Sequence, residues 1–291
     1  MNAPVYPVVT TRTNLDFKLD QLPRYWFGNN PFKTRMLDGV MLSFPDGERY
    51  FIQCVRQFRD RVTDPRLKAD VAEFIKQEAQ HGIAHDYYNK LLEKQGLPVA
   101  PLLDFLKKHM AHDLRTKSPE LNLAITAACE HVTALMAESM YGHQDTMRDV
   151  HPHMRALLAW HSIEEMEHRS VAFDVMDQVA QVDHATRMKA MTLLAPLFLL
   201  FSLYRTERLL AGDGFSARER ARLFVQNLPW LFGARGILAP MGKPILKWYK
   251  KGFHPNDLPV IAQYQVWLDT YARTQDPIAA GEAFWAAGRS D

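Results

Sequence analysis

Apolar residues recur at every third or fourth position in four stretches of the chain, the spacing expected of a helix with one buried face. Two of these stretches open with a capping residue followed by proline, at Asp64-Pro65 and Ser118-Pro119. This combination is a typical helix start. The pattern predicts four long helices at residues 43–62, 65–95, 119–141 and 152–179.

Polar residues interrupt the apolar face in two of those helices. A glutamate and a histidine three positions apart occupy that face, Glu78 with His81 and Glu165 with His168. Residues at this spacing are neighbours on one side of a helix. A buried carboxylate is costly unless it is paired or binds a metal. The two Glu-x-x-His pairs therefore predict a metal site inside a helical bundle.

The other two helices each carry one glutamate on the apolar face, Glu48 in the first and Glu130 in the third. Single glutamates from two helices and Glu-x-x-His pairs from two others form the ligand set of ferritin-like dinuclear bundles. Asp46 is the substitute for Glu48, because acidic residues in a first turn also favour the helix dipole. A salt-bridged polar layer is the alternative, but no lysine or arginine shares these faces near the glutamates. The predicted metal ligands are Glu48, Glu78, His81, Glu130, Glu165 and His168.

Three residues beside these ligands are candidates for supporting roles in the chemistry. Glu164 precedes Glu165 and can orient a ligand histidine by a hydrogen bond, although a surface charge is the alternative. His85 and His161 lie one turn from the Glu-x-x-His pairs on the same faces. Both histidines are predicted either to transfer protons or to be hydrogen-bonded core residues.

The predicted bundle, residues 40–182, lies between an irregular N-terminal arm, 1–39, and a C-terminal helical extension, 183–291, packed on the bundle. Ala190 to Tyr204 is uncharged and apolar, but it is about fifteen residues long and contains Pro196. A membrane span needs about 20 residues, so a buried or interfacial helix is predicted. The stretch Lys243 to Phe253 is basic and aromatic. It could contact an anionic lipid surface, and the alternative is a solvated helix face.

Composition places the 291-residue chain among ordinary globular proteins, with 47% hydrophobic residues and a net charge of +2. This charge gives no support for nucleic-acid binding. Cys54 and Cys129 lie inside apolar helical patterns and suggest no disulfide framework, so a reducing compartment is the default. The N-terminal stretch has no apolar core run and is not a secretory signal. A cytoplasmic protein is expected, with membrane association left open by the apolar segment.

Several stretches resemble the bacterial family called "predicted metal-dependent hydrolase". The resemblance covers roughly residues 36–255, and the ligand pattern is also similar to the ferritin-like di-iron carboxylate superfamily. Many members of that superfamily have aspartate just before the Glu-x-x-His glutamate, whereas Gln77 and Glu164 stand there in this chain. The stretches that carry the resemblance are Phe44–Glu48, Glu78–His85, Trp160–His168 and Gly252–Pro255.

Three functions follow from this resemblance and from the ligand set. The favoured one is a di-iron enzyme that activates dioxygen to oxidise or oxygenate a small, apolar, lipid-like molecule. It implies two iron ions (manganese or a mixed iron–manganese pair being the alternatives), dioxygen as co-substrate and an external electron donor. The alternative is a dinuclear metal-dependent hydrolase, and the third is a non-catalytic iron-handling protein. A homodimer and peripheral membrane contact are further expectations, and no nucleic-acid partner is expected.

Overall fold

The computed structural model describes residues 7–288. These residues form α-helices connected by turns, short 3₁₀ helices and two longer irregular stretches, 7–30 and 248–263, and no β-strand occurs among them. The expectation for residues 1–6 of the arm lies outside the described residues. The α-helices are α1 Pro31–Met41, α2 Phe44–Arg56, α3 Pro65–Lys94, α4 Val99–Thr116, α5 Pro119–Gly142, α6 Pro152–His168, α7 Val171–Asp174, α8 His184–Gly212, α9 Ala217–Phe232, α10 Gly242–Lys247, α11 Tyr264–Thr274 and α12 Pro277–Ala287.

The predicted helix starts are confirmed by their capping geometry. The Asp64 side chain accepts a hydrogen bond from the backbone N–H of Leu67, and Ser118 accepts one from Leu121. A proline occupies the first turn in α2, α3, α5 and α6. These capping bonds satisfy backbone N–H groups that have no partner inside the helix. They fix where α3 and α5 begin, and hence which residues reach the centre of the molecule.

The four helices that carry the predicted ligands pack around one another. Helix α2 contacts α3 and α5, and α6 contacts the same two helices, so the contacts close a ring. Two hydrophobic cores lie at either end of this ring. Along α3, Val71 and Phe74 belong to one core and Tyr88 and Leu92 to the other. The polar residues between them form a layer that separates the two cores, as the interrupted apolar face predicts.

The fourth bundle helix is shorter than predicted. Helix α6 ends at His168, and a turn separates it from α7 and from a π-helical turn at Val175–Val179. The guanidinium of Arg169, in that turn, donates to the backbone carbonyls of Leu258 and Pro259. This contact ties the end of α6 to the C-terminal part of the chain immediately after the last predicted ligand.

The N-terminal arm is not irregular throughout, since residues 31–41 form α1, which packs against α8. The apolar pattern of α1 is interrupted by Arg35 and Asp38, both fully buried. Arg35 pairs with Asp38 at 2.7 Å and with Asp213, beyond the end of α8, at 2.7 Å. The apolar face of α1 could not be recognised from the sequence, because charged residues are normally exposed. Here they are buried, and their partner Asp213 lies far away in the chain.

The C-terminal part consists of helices, as predicted, but α8 is 29 residues long and continues through Pro196. The premise that the apolar segment is too short to span a membrane is therefore wrong. Helix α8 is long and apolar enough to cross a membrane by length and composition, criteria that core helices of soluble proteins also meet. Of its most apolar window, 22% is buried. One side of α8 packs on α1 and α5, and a smaller part contacts α9. Four large apolar residues on its other side are exposed: Leu193, Leu197, Leu200 and Tyr204.

Candidate metal centre

All six predicted ligands lie together in the polar layer between the two cores. Each is buried, and the most exposed of them, Glu165, shows 4% of its surface. Five of the six ligands lie on α3, α5 and α6. The caps of α3 and α5 and the first-turn proline of α6 fix where these helices begin, and hence which side of each helix carries the ligands. The ring of four helices then turns all of these side chains inward.

One group of potential metal ligands surrounds His168. Its Nε2 atom lies 3.1 Å from Oε1 of Glu78, 3.2 Å from Oε2 of Glu130 and 3.7 Å from Oε2 of Glu165. One ligand atom from each of these four residues lies within 4.8 Å of the others. Four donors at such separations can surround one metal ion.

A second group contains Glu48, Glu78 and His81, whose ligand atoms also lie within 4.8 Å of one another. The Nδ1 atom of His81 is 3.7 Å from Oε1 of Glu78. Glu78 therefore belongs to both groups. Two overlapping groups that share a carboxylate fit two adjacent metal ions better than a single one.

The hydrogen bonding of these side chains tests whether a metal fits. Both carboxylate oxygens of Glu48 and Glu130, Oε1 of Glu78, Nδ1 of His81 and Nε2 of His168 are buried without a hydrogen-bond partner among the described residues. Buried polar atoms are rarely left unsatisfied in proteins. Nε2 of His168 lies 3.1 Å from Glu78 and 3.2 Å from Glu130 without hydrogen-bond geometry, which leaves the lone pairs of these atoms free. A pair of cations satisfies all of them, so the donor set fits the metal that the sequence predicts.

Without a cation, the same arrangement disturbs the ionisation of the glutamates. Burial, together with the charges of Glu78 and Glu165, raises the pKa of Glu130 to about 8. Burial and the Glu78 charge likewise raise the pKa of Glu48 well above its ordinary value. Burial also raises the pKa of Glu165, but the hydrogen bond from His161 and the nearby His168 ring outweigh burial and lower this pKa well below its ordinary value. A metal that replaces these protons removes the repulsion among the carboxylates.

Each ligand histidine is oriented by the residue that precedes the glutamate on the opposite helix. Nε2 of His81, on α3, lies 3.0 Å from Oε2 of Glu164 on α6. Nδ1 of His168, on α6, donates to Oε1 of Gln77 on α3 over 2.8 Å. Such contacts fix which ring nitrogen faces the metal and how the ring is turned. The predicted orienting role of Glu164 thus has a geometric basis, and Gln77 fills the corresponding position where related sites have aspartate.

The N-terminal arm supplies a cation to this layer, which the helical patterns did not reveal. Arg12 lies 3.1 Å from Glu164 and 2.7 Å from Glu167. Glu167 also accepts hydrogen bonds from Gln77 at 2.8 Å and from Tyr264 at 2.9 Å. Arg12 therefore links both histidine-orienting residues. The available signal was the buried acidic pair of α6, three residues apart, which has no basic partner on its own helix.

His85 and His161 lie beside the ligand group and contact each other at 2.7 Å between Nε2 and Nδ1. Nε2 of His161 donates to Oε1 of Glu165 over 2.9 Å, and Thr133 donates to the other oxygen over 2.6 Å. The ligand atoms of Glu48, His85 and His161 also fall within 4.8 Å of one another. Burial and neighbouring His81 lower the pKa of His161, so its imidazole is neutral in this setting.

A cavity of about 540 Å³ opens from the surface to the ligand layer. Glu48, Glu78, Glu165 and His161 form part of its wall, and the rest is mostly apolar. Its volume lies within the range of about 300 to 1,000 Å³ usual for small-molecule sites. The structure therefore gives a substrate direct access to the predicted ligands. Metal binding by the six residues stays a prediction of sequence and geometry.

The fold and the site together define a class: the described residues are helical, and four of their helices surround a buried carboxylate–histidine cluster that could hold metal ions. A family profile described as "Predicted metal-dependent hydrolase" matches residues 11–258. The chain therefore belongs to this family, as the resemblance indicated. Searches of curated proteins and of solved structures find no match.

Family membership corrects one expectation from the sequence. The function favoured from the sequence is a dioxygen-activating oxidoreductase, but the family is described as one of predicted metal-dependent hydrolases. That finding agrees with the alternative function and with metal dependence. The error came from the ligand set, which the superfamily of oxygen-activating bundles shares. Ligand type and order identify a dinuclear site but do not define the reaction that it performs.

Proposed function

We propose that this protein is a dinuclear metal-dependent hydrolase, with its active site in the polar layer between α2, α3, α5 and α6. The observation that carries the proposal is the pair of overlapping ligand groups joined by Glu78. Two-metal sites that share a carboxylate are a recurrent solution for hydrolysis. The family to which the chain belongs supports the same reaction class.

Glu48 and His81 would hold one ion, Glu130 and His168 the other, and Glu78 would contact both. Glu165 lies against His168 and against the cavity, where it completes the second set. Carboxylate oxygens and imidazole nitrogens suit manganese, iron or zinc. Two such ions would activate water for attack and stabilise the leaving oxygen of the bond that is cleaved.

His161 is the titratable group of the chain best placed to handle the proton of this reaction. It lies in the cavity wall, and its Nε2–H donates to Glu165. Its Nδ1 then accepts from Nε2–H of His85, whose own Nδ1 has no partner among the described residues. A proton taken up at the free Nδ1 atom of His85 can pass along this pair, because Nε2–H of His85 can move to Nδ1 of His161 while Nε2–H of His161 moves to Glu165. The two histidines thus provide a buried path that leads protons toward the ligand layer.

The apolar wall of the cavity has a second effect on the chemistry. Phe44 packs against the rings of His85 and His161, with centroids 4.9 and 5.1 Å away. Phe44 and the surrounding apolar residues keep bulk water away from the polar layer. Low polarity strengthens the interaction between bound ions and the developing charge of the substrate.

Hydrolysis by chelator-stripped protein reconstituted with Mn²⁺, Fe²⁺ or Zn²⁺ tests the proposal. Chromogenic carboxylic esters, phosphodiesters and anilides cover the main hydrolysable bonds. We expect turnover of at least one class with metal and none after stripping. Glu130→Gln should abolish both the activity and one of the bound ions, because it replaces a charged ligand by a neutral amide.

Glu138→Gln is the matched control, since Glu138 lies two turns further along α5, is half-buried and belongs to neither ligand group. It should leave turnover unchanged. Loaded protein that retains two ions yet hydrolyses no member of the panel, or equal activity with and without metal, would contradict the proposed reaction.

A further inference from the structure

The wall of the cavity is strongly apolar at its outer end, where α4 and α8 approach each other. Phe105 packs against Phe201 with ring centroids 5.3 Å apart and the ring planes tilted by 35°, and both residues line the cavity. Phe105 is 56% exposed, and Leu193 and Leu197 on the opposite wall are 48% and 45% exposed. A soluble protein gains nothing from leaving such side chains open unless an apolar molecule covers them.

The exposed residues of α8 follow one helical face. Leu193, Leu197, Leu200 and Tyr204 are spaced by four, three and four positions, and Leu200 and Tyr204 are 60% and 55% exposed. This spacing places them in one row along the helix. Leu193, Leu197 and Tyr204 also line the cavity. The row therefore continues the apolar wall outward, so that a long chain can lie along α8 and enter toward the ligand layer.

Arg205 interrupts the apolar wall of the cavity with a buried positive charge. It is 5% exposed and lines the cavity. Its Nε donates to the carbonyl of Gly39 and its Nη2 to Ser43 and Ser202. Nη1 has no hydrogen-bond partner, and no carboxylate forms an ion pair with Arg205, within residues 7–288. A guanidinium in an apolar setting without an anion is costly.

A second cation of the wall shows the usual arrangement. Lys117 also lines the cavity, but its ammonium group lies 2.5 Å from the carboxylate of Asp113. Its charge is therefore balanced within the chain. Arg205 differs from Lys117 because its balancing anion must come from outside, and this makes it a candidate for ligand recognition.

The position of Arg205 relative to the ligand layer follows from α2. Nη2 of Arg205 is 3.4 Å from the hydroxyl of Ser43, the residue that precedes α2. Glu48 lies five positions further on, which corresponds to about 8 Å along the helix axis at 1.5 Å per residue. Both residues line one cavity. The cavity thus presents an unpaired guanidinium and a predicted metal ligand on neighbouring parts of its wall, roughly 10 Å apart.

We propose that the substrate is a single-chain lipid with an anionic group that pairs with Arg205 and a hydrolysable bond that reaches the ligand layer. Its apolar chain lies between α4 and α8 and extends along the exposed row of α8. This inference rests on the proposed function for the position of the cleaved bond. The binding of an anionic lipid at Arg205 does not depend on it.

Equilibrium binding of unreactive lipids to the Mn²⁺-loaded protein tests the assignment. The probes are dodecanoate, dodecanol and butanoate, measured by calorimetry below their aggregation concentrations. We expect dodecanoate to bind, and butanoate to bind far more weakly because it buries little apolar surface. Arg205→Met should weaken dodecanoate binding by about tenfold or more and change dodecanol binding less than about twofold.

Arg208→Met is the matched control, because Arg208 lies on α8 but is exposed. This variant should bind dodecanoate and dodecanol with the affinities of the wild type. Unchanged dodecanoate binding in Arg205→Met overturns the assignment, since the carboxylate would then bind elsewhere, for instance to the metal. Equal affinity for butanoate and dodecanoate overturns the lipid chain.

Two further variants keep the test decisive if Arg205→Met fails to fold. Arg205→Lys retains the charge and should bind dodecanoate better than it binds dodecanol. Leu106→Trp narrows the cavity and should weaken both long-chain ligands. If dodecanoate binding requires Arg205 but the protein hydrolyses nothing, the proposed hydrolase function is contradicted and lipid binding at Arg205 is supported. If the protein hydrolyses substrates regardless of chain length and of Arg205, the hydrolase function is supported and lipid binding at Arg205 is contradicted.

Discussion

At the scale of single residues, the polar layer shows how a side chain's surroundings decide its chemistry. Glu130 and Glu165 are both buried glutamates in the same group of ligands. Their pKa values nevertheless move in opposite directions, upward for Glu130 and downward for Glu165. Glu165 accepts hydrogen bonds from His161 and Thr133, whereas the oxygens of Glu130 have no such donors. Burial favours the neutral acid, and donors favour the carboxylate.

The same principle gives a prediction for Cys54, which lies outside the metal centre in the core at the α3 N-terminal end. Burial raises the pKa of its thiol to about 11. Above the pKa of about 8.5 that an unfolded thiol has, the unfolded state ionises while the folded state keeps its proton. The free energy of unfolding should therefore fall by roughly 2 to 3 kcal/mol between about pH 8.5 and pH 11.

The free energy of unfolding, measured by urea denaturation at about pH 8 and about pH 10.5, checks this prediction. Cys54→Ala is measured alongside, because its change in stability reports all titrating groups other than the Cys54 thiol. The wild type should lose more stability across this interval than the variant does. Equal losses would show that the Cys54 thiol ionises as readily in the fold as in the unfolded chain.

At the scale of elements, the centre depends on how the N-terminal arm closes over α3 and α6. Arg12 is 9% exposed and contacts Glu164 and Glu167. Burial alone lowers the pKa of an arginine, but the hydrogen bonds and charges of those two glutamates raise it here. The ion pairs are therefore tight. They hold Glu164 against His81 and, through Glu167, hold Gln77 against His168.

Arg12→Met should weaken metal affinity by about 10- to 100-fold, the usual effect of removing a contact that orients a ligand histidine. It should also lower stability, because two buried glutamates lose their cation. Chelator competition measures the affinity. Arg218→Met, exposed on α9, is the control and should leave it unchanged. Wild-type affinity in Arg12→Met would contradict the orienting role of the arm.

The elements also show what the sequence could predict. Helical spacing and caps were sufficient for α3 and α5, because local hydrogen bonds determine where these helices begin. The pattern missed α1, since the charges of Arg35 and Asp38 are balanced only by each other and by the distant Asp213. It missed Arg12 for the same reason. Each Glu-x-x-His pair can be recognised in the sequence of a single helix, because its members repeat at helical spacing. The residues that orient these ligands cannot be recognised in this way, because they come from segments far apart in the chain.

At the scale of the whole molecule, the polar layer divides the hydrophobic interior into two cores. Four buried glutamates destabilise this layer when no metal is bound, because ionised carboxylates repel one another and the oxygens of Glu48 and Glu130 lack hydrogen-bond donors. Bound cations would remove this repulsion and stabilise the contact between the two cores. Exposed residues of α8 and ligands of the polar layer line the same cavity, so the route to the centre passes along the exposed face of α8.

Removal of metal should therefore lower thermal stability. A ligand at about 100 times its dissociation constant contributes about 2.7 kcal/mol, and about 2 to 4 °C of Tm correspond to each kcal/mol in large domains. We expect the stripped protein to melt roughly 5 to 10 °C below the loaded one in calorimetry. Glu130→Gln should show a smaller difference. Identical Tm values for stripped and loaded wild type would contradict a metal within the interior.

We propose that six converging side chains hold two ions that share Glu78. The decisive measurement is the metal content of protein loaded with Mn²⁺ or Fe²⁺ under anaerobic conditions, determined by mass spectrometry for the wild type and for Glu78→Gln. Glu93→Gln, exposed near the end of α3, serves as control. We expect about two ions per chain in the wild type and in Glu93→Gln, and a loss of metal in Glu78→Gln. A wild type that retains no metal, or a Glu78→Gln variant that still retains about two ions, would contradict it.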